Sequence, residues 1–246
     1  MTLIAIALAL LVGVTLGLLG GGGAVLTVPI LVYVMGVTPK VAVPLSLMVV
    51  GSASLIGATM HWRAGRLAIG PTLRFAAFTV VGAFVGARTG RLLPDVVQLG
   101  LFAVVVLAAA IAMWRSVGRE PTPRPDRSPA VLPVVGIAVG TLTGIVGVGG
   151  GFLFVPALVA LLQFPIARAT ASSLLIIALN AVAALIGYGP GLAVPWGIAL
   201  PFVTCTILGM FAGQALAPSL RSDTLKRAFA ILLIGVGGFV LIQSLR

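Results

Sequence analysis

The sequence predicts an all-α polytopic membrane protein of two inverted repeats, with about eight to ten membrane segments, two of them Gly-broken re-entrant or half-helices. Three observations lead there. Of the 246 residues 60% are hydrophobic and 8% charged, with a mean hydropathy of +1.26, whereas a soluble domain carries about 25% charged residues to solvate its surface. Ten apolar stretches follow one another with short breaks. The first half of the chain also recurs in the second at a fixed offset. This composition excludes an ordinary soluble protein. The excess of 15 Lys+Arg over 4 Asp+Glu reads as loop charge on one membrane face rather than as a nucleic-acid surface. A single cysteine, Cys205, excludes a disulfide framework and a Cys-based metal cluster.

The apolar segments lie near 2–19, 24–36, 41–60, 70–90, 96–114, 131–146, 152–164, 170–188, 195–217 and 224–243. The first is short and apolar like a signal peptide, but it lacks a positive n-region and matches an internal segment, so it belongs to the fold. Segments 24–36 and 152–164 are too short to span: a helix of about 13 residues covers about 20 Å of a hydrocarbon core of about 30 Å. Between Arg115 and Pro129 four prolines alternate with Arg119, Glu120, Arg124, Asp126 and Arg127. This is the one clearly aqueous linker. The expected organisation is repeat 1 over 1–114, a Pro/Arg-rich linker over 115–130, and repeat 2 over 131–246.

The repeat is anchored by Gly20-Gly21-Gly22-Gly23 running to Val28-Pro29 and by Gly147-Val148-Gly149-Gly150-Gly151 running to Val155-Pro156, an offset of 127 residues. The same offset pairs Gly13 with Gly140, Gly17 with Gly144, Ser46-Leu47 with Ser173-Leu174, Gly82 with Gly209 and Gly86 with Gly213. An offset held through four segments indicates duplication. Parity then sets orientation. If the first two elements of each repeat enter and leave on one side, the halves are inverted. Arg63, Arg66, Arg74, Arg115, Arg119, Arg124, Arg127, Arg168, Arg221, Lys226 and Arg227 then share one face, and Lys40, Arg88, Arg91 and Arg246 the other. A parallel arrangement splits the same residues almost evenly, so the positive-inside rule selects inversion, with the linker cytoplasmic and both termini outside.

Each break sets glycines directly before a short apolar helix. Such a helix start exposes unpaired N–H groups and the positive dipole end, which in a bilayer must face protein, water or an anion. Two starts meeting between inverted repeats make an anion site. Close helix packing is the other use of such glycines. The candidate binding residues are Gly21, Gly22 and Gly23, Gly149, Gly150 and Gly151, and the side chains of Ser46, Ser172, Ser173 and Asn180. The serines could complete an anion's hydrogen bonds or bond a carbonyl one turn back. Asn180 is costlier to bury unpaired and is the better single candidate.

No catalytic or metal site is expected. His61 stands at a helix end beside Trp62 and Arg63, and Ser54 on the same face is about 10 Å of helical rise away, too far for a nucleophile–base pair. No His/Cys/carboxylate cluster has metal-ligand spacing. The glycine runs lack the Lys-Ser/Thr ending of a phosphate loop, and no cofactor is expected. The acids Asp95, Glu120, Asp126 and Asp223 lie in loops or at helix ends, which leaves no intramembrane carboxylate for a proton relay. Efflux of a small anion needs none, because the inside-negative potential supplies about 2.3 kcal/mol per charge per 100 mV.

Gly17-Leu18-Leu19-Gly20-Gly21-Gly22-Gly23 with Val28-Pro29, its parallel from Gly144 to Pro156, and the helix starts at Ser46-Leu47 and Ser172-Ser173-Leu174 resemble the TauE/SafE sulfite exporter family over essentially the whole chain. In that family the latter two places look like Ala-x-x-Thr-Ser-Leu. Here Leu45 stands for the threonine in the first copy and Ser172 in the second. The resemblance implies export of sulfite or a related organosulfonate such as sulfoacetate, where residue chemistry alone reaches a small anion. A transporter of a cation or neutral solute, and a non-transporting assembly subunit, are the alternatives. The expected partners are the anion and the bilayer of a bacterial inner membrane, with no nucleic acid and with homo-oligomerisation left open.

Overall fold

A computed structural model describes residues 3–118, 131–147, 151–189, 194–217 and 220–244. The expected linker beyond Gly118, together with Gly149 and Gly150, lies outside the described residues. The chain forms α1 (Leu3–Leu19), α2 (Ala24–Pro29, continued by a π turn over Ile30–Val34), α3 (Pro39–Arg63), α4 (Ile69–Gly90) and α5 (Asp95–Arg115). These are followed by α6 (Val131–Val146), α7 (Gly151–Leu161), α8 (Ile166–Tyr188), α9 (Trp196–Leu216) and α10 (Ser222–Ser244). No strand occurs among the described residues. The all-helical, polytopic class expected from composition is what is found.

Six helices, α3, α4, α5, α8, α9 and α10, are long and apolar enough to cross a membrane. α1 and α6 have 17 and 16 residues and reach about 25 Å, just short of the hydrocarbon thickness. α2 and α7 are shorter still. Pro29 sits inside the α2 helix, where its missing N–H and ring bulk forbid the regular i to i−4 bond. The helix widens immediately after it, Met35 N donating to Ile30 O at 3.1 Å. α8 starts at Ile166 rather than at 170, because Pro165 in extended geometry (φ −53, ψ 146) launches the helix and exposed Arg168 fits its first turn.

α1 packs mainly on α9, α6 on α4, α3 on α8 and α5 on α10. Exchanging the halves maps each of these contacts onto itself or onto another in the set. α1 and α9 meet backbone to backbone: a methyl group on Gly13 would collide with Thr206 and Gly209, and one on Gly17 with Met210 and Gly213. The register rises together, so the two helices are parallel. Gly82 and Gly86 of α4 meet Ile137, Gly140 and Thr141 of α6 in the same parallel sense. Small residues permit this close approach in the absence of a hydrophobic drive between membrane helices.

The pairs formed by repeat-equivalent helices run the other way. Gly51 of α3 faces Ala181 of α8 while Gly57 faces Leu174, so α3 and α8 are antiparallel. Likewise Gly237 of α10 faces Val106 and Leu107 of α5, while Lys226 Nζ donates to Ser116 O at 3.2 Å. α5 and α10 are therefore antiparallel too.

Candidate functional site

Break 1 begins where α1 ends. Gly20 takes a left-handed turn (φ +63) after its N–H has closed the last turn onto Leu16 O at 2.9 Å. The chain then doubles back, with Gly23 against Val12, Thr15 and Leu16 of α1. The first turn of α2 is tight: Ala24, Val25 and Leu26 donate to Gly21, Gly22 and Gly23 at 3.1, 3.3 and 3.1 Å. The N–H groups of Gly21, Gly22 and Gly23 donate to no carbonyl among the described residues, although all three glycines are buried.

Gly21 lies in backbone contact with Gly151, the first residue of α7, and Gly22 lies under the ring of Phe229 of α10. The start of α7 thus reaches break 1, and a side chain on either Gly21 or Gly151 would push the two apart. Gly147, equivalent to Gly20, repeats the left-handed turn at φ +71.

Ser46 and Ser173 each hold the turn of the opposite half. Ser173 Oγ donates to Gly20 O and lies 2.8 Å from Thr170 O; Ser46 Oγ donates to Gly147 O and lies 2.8 Å from Val43 O. Each hydroxyl has one proton and two carbonyls to share it, so both donors are engaged within the protein. Each hydroxyl also covers a carbonyl that the end of α1 or α6 would leave orphaned.

Ser172 differs from its neighbour. Its side chain is fully buried and its Oγ has no hydrogen-bond partner. Asn180, also buried, accepts from Thr79 Oγ1 of α4 at 3.0 Å, while its Nδ2 has no partner. Thr79 and Thr72, both fully buried, are absent from the residues singled out in the sequence. Thr79 was findable, since Thr206 stands at the repeat offset. Thr72 has Ala199 there and gave no signal. Among the described residues no group of His, Cys, Asp and Glu could hold a metal. Asp95 and Asp223, the acids described, occupy the first turns of α5 and α10.

The family described as Sulfite exporter TauE/SafE matches residues 5–240 of this chain. A probable membrane transporter protein of Xylella fastidiosa (strain Temecula1) is 34% identical over 243 residues, covering 95% of this chain and 92% of its own. The probable membrane transporter protein YdhB of Bacillus subtilis is 26% identical, covering 89% and 91%. A probable membrane transporter protein of Haemophilus influenzae is 28% identical, covering 94% and 96%. No solved structure matches the chain.

Proposed function

The chain belongs to the TauE/SafE sulfite exporter family, a family of multi-pass membrane transporters, and on that premise we propose that it exports sulfite or a related small organosulfonate. The observation that carries the reading is the meeting of Gly21 with Gly151 beside three successive N–H groups, of Gly21, Gly22 and Gly23, that donate to no carbonyl among the described residues. Successive backbone donors at a glycine turn before a helix make a concave anion cradle. Ser172 and Asn180 offer further donors, Ser172 Oγ and Asn180 Nδ2 having no partner among the described residues. Ser46 and Ser173 act one step back, fixing the turns from which the cradle is built.

The halves are inverted in this reading, supported by the antiparallel α3/α8 and α5/α10 pairs, since equivalent helices related by an axis along the membrane normal would run parallel. The charges agree with it. Arg74 and Arg168 start the helices α4 and α8, whose parallel sense follows from Thr79 facing Asn180 and Phe84 facing Gly187. At the other end Arg91 Nη1 donates to Tyr188 O at 3.1 Å. The end with Arg74 and Arg168 is cytoplasmic. Transport follows the membrane potential in this reading, since the described carboxylates, Asp95 and Asp223, stand at the starts of α5 and α10 and not at mid-span where a proton relay would need them.

The test is a current measurement on protein reconstituted in liposomes. Sulfite gives a protein-dependent current that chloride and sodium do not. A sodium current, or no sulfite current above empty liposomes, overturns the assignment.

A further inference from the structure

Helices α5 and α10 pair antiparallel, with Gly237 against Val106 and Leu107 and with Lys226 Nζ donating to Ser116 O at 3.2 Å. Toward the Ser116 end the pair opens into a groove of about 290 Å³, lined by Ala110, Ile111, Trp114 and Arg115 of α5 and Ile234 of α10. Ile111, Trp114 and Ile234 are each half-exposed. The groove is thus apolar along its length and open at the side, where a bilayer presents acyl chains.

Its mouth is cationic. Arg115 lines it, and Arg227, the residue after Lys226, stands level with Arg115 across the antiparallel pair. Seven residues, about two turns, separate Arg227 from Ile234 and return it to nearly the same side of α10. Both arginines are exposed, and neither makes an ion pair among the described residues. The acid described at this end is already engaged: Asp223 lies 3.7 Å from Lys226 and accepts from Gly118 N at 3.3 Å. Lys226 is buried and ties the two helix ends together, which fixes the arginines on either side of the mouth.

Two places in the same molecule serve as controls. At the repeat offset Trp114, Arg115 and Arg227 become Leu241, Ile242 and Gly100, so the same helix pair carries no cation or tryptophan at its other end. A second groove, of about 230 Å³, runs between α2 and α10 along Leu26, Pro29, Gly235 and Phe239 and has no charged residue in its lining. Helix packing therefore does not demand the arginines. Membrane orientation does not demand them at this spot either, because Arg119, Arg124 and Arg127 already load the linker.

A guanidinium meets a phosphate through paired, charge-assisted hydrogen bonds, tryptophan favours the headgroup level, and basic pockets between membrane helices suit anionic headgroups. We propose that the α5–α10 groove binds an anionic phospholipid, with one acyl chain along Ala110, Ile111 and Ile234 and the phosphate between Arg115 and Arg227. The site is separate from the glycine breaks and does not depend on which solute is carried.

The test uses the full chain in phosphatidylcholine vesicles with Trp62→Phe and Trp196→Phe, which leaves Trp114 as the sole tryptophan. Lipids with brominated acyl chains quench a tryptophan that they touch, and phosphatidylglycerol is the anionic probe. Brominated phosphatidylglycerol should quench Trp114 with a relative binding constant at least threefold above that of brominated phosphatidylcholine. Arg115→Gln with Arg227→Gln should make the two lipids equal. Arg63→Gln with Arg74→Gln, which removes the same charge from α3 and α4, should leave the preference intact. A reporter in the uncharged groove, Phe239→Trp with Trp114→Phe, should show no preference, and this comparison needs no arginine variant. Equal quenching of Trp114 by both lipids overturns the site. So does an equal preference at the Phe239→Trp reporter, or an equal loss in the two arginine pairs, since either would mean diffuse attraction to the whole face. Quenching by neither lipid, with a stable dimer in detergent, would give the groove to a second copy of the chain and also overturns it. The readout involves no transported solute, so the lipid site and the transport reading stand or fall separately.

Discussion

Ser173 closes the end of α1 from the other half of the molecule, donating its hydroxyl to the carbonyl of Gly20, as Ser46 does to Gly147 at the end of α6. These bonds join residues 153 and 101 positions apart. They make each glycine turn dependent on a helix that belongs to the opposite repeat.

Replacing Ser173 by Ala removes the donor and leaves Gly20 O buried without it. Loss of about 1–3 kcal/mol is expected, read as a lower melting temperature in detergent. Ser46→Ala should behave alike, and the double variant should be close to additive because the sites share no partner. An unchanged melting temperature in both single variants contradicts the clasp.

Gly140 of α6 packs on the backbone of Thr79, and Gly209 of α9 on that of Leu10. Valine at either position has to separate two helices, and misfolded or poorly inserted protein is expected. Gly100 and Gly238 have open space where a side chain would go. Alanine there should be neutral or stabilising, by up to about 1 kcal/mol of helix propensity. Comparing monodisperse yield across the four variants checks both halves of the prediction.

Gly21→Ala drives a methyl group into the backbone of Gly151. The six long helices are untouched, so membrane insertion should persist while sulfite flux in liposomes falls by at least tenfold, about 1.4 kcal/mol in the barrier. Gly22→Leu, which meets Phe229, should do the same. Full flux in both variants speaks against a site at the break.

Thr79→Val takes away the one bond that Asn180 makes through its Oδ1. Interhelical hydrogen bonds in membranes average about 0.6 kcal/mol with a maximum near 1.7, and a loss in that range is expected on unfolding. Thr206→Val should cost less, since Thr206 reaches Ala9 O only at 3.3 Å. Chemical denaturation of the two variants side by side decides it.

A reporter enzyme active only outside the cytoplasm, fused after Arg246, should be active, and the same reporter inserted after Gly118 should be silent. The reverse pattern would invert the charge argument.

Ten of ten helices stood near the apolar segments, because uninterrupted hydrophobicity is a local signal. The constant spacing of Gly, Ser and Pro was legible too, and the helix pairing α1 with α9, α4 with α6, α3 with α8 and α5 with α10 has the same exchange symmetry. What the sequence could not convey was partnership. The offset pairs Gly13 with Gly140, yet in space Gly13 touches Gly209, since helices cross over to the other half. The sequence offers Ser46 and Ser173 an anion or a carbonyl one turn back, and does not display the carbonyl partners that lie more than a hundred residues away along the chain. Thr72 stayed invisible because its burial without a partner is a property of packing alone.

The crossing of helices between halves also bears on how the chain is made. α1 is made long before its main companion α9, which begins only at Trp196. At 5–20 residues per second the intervening chain takes roughly 10–40 s to synthesise. For that time a 17-residue helix carrying Gly13 and Gly17 on its contact side is without its parallel neighbour. The contact face of α1 is therefore without its final partner until the second half is synthesised. Co-expressed but separate halves offer a route to timing that wait.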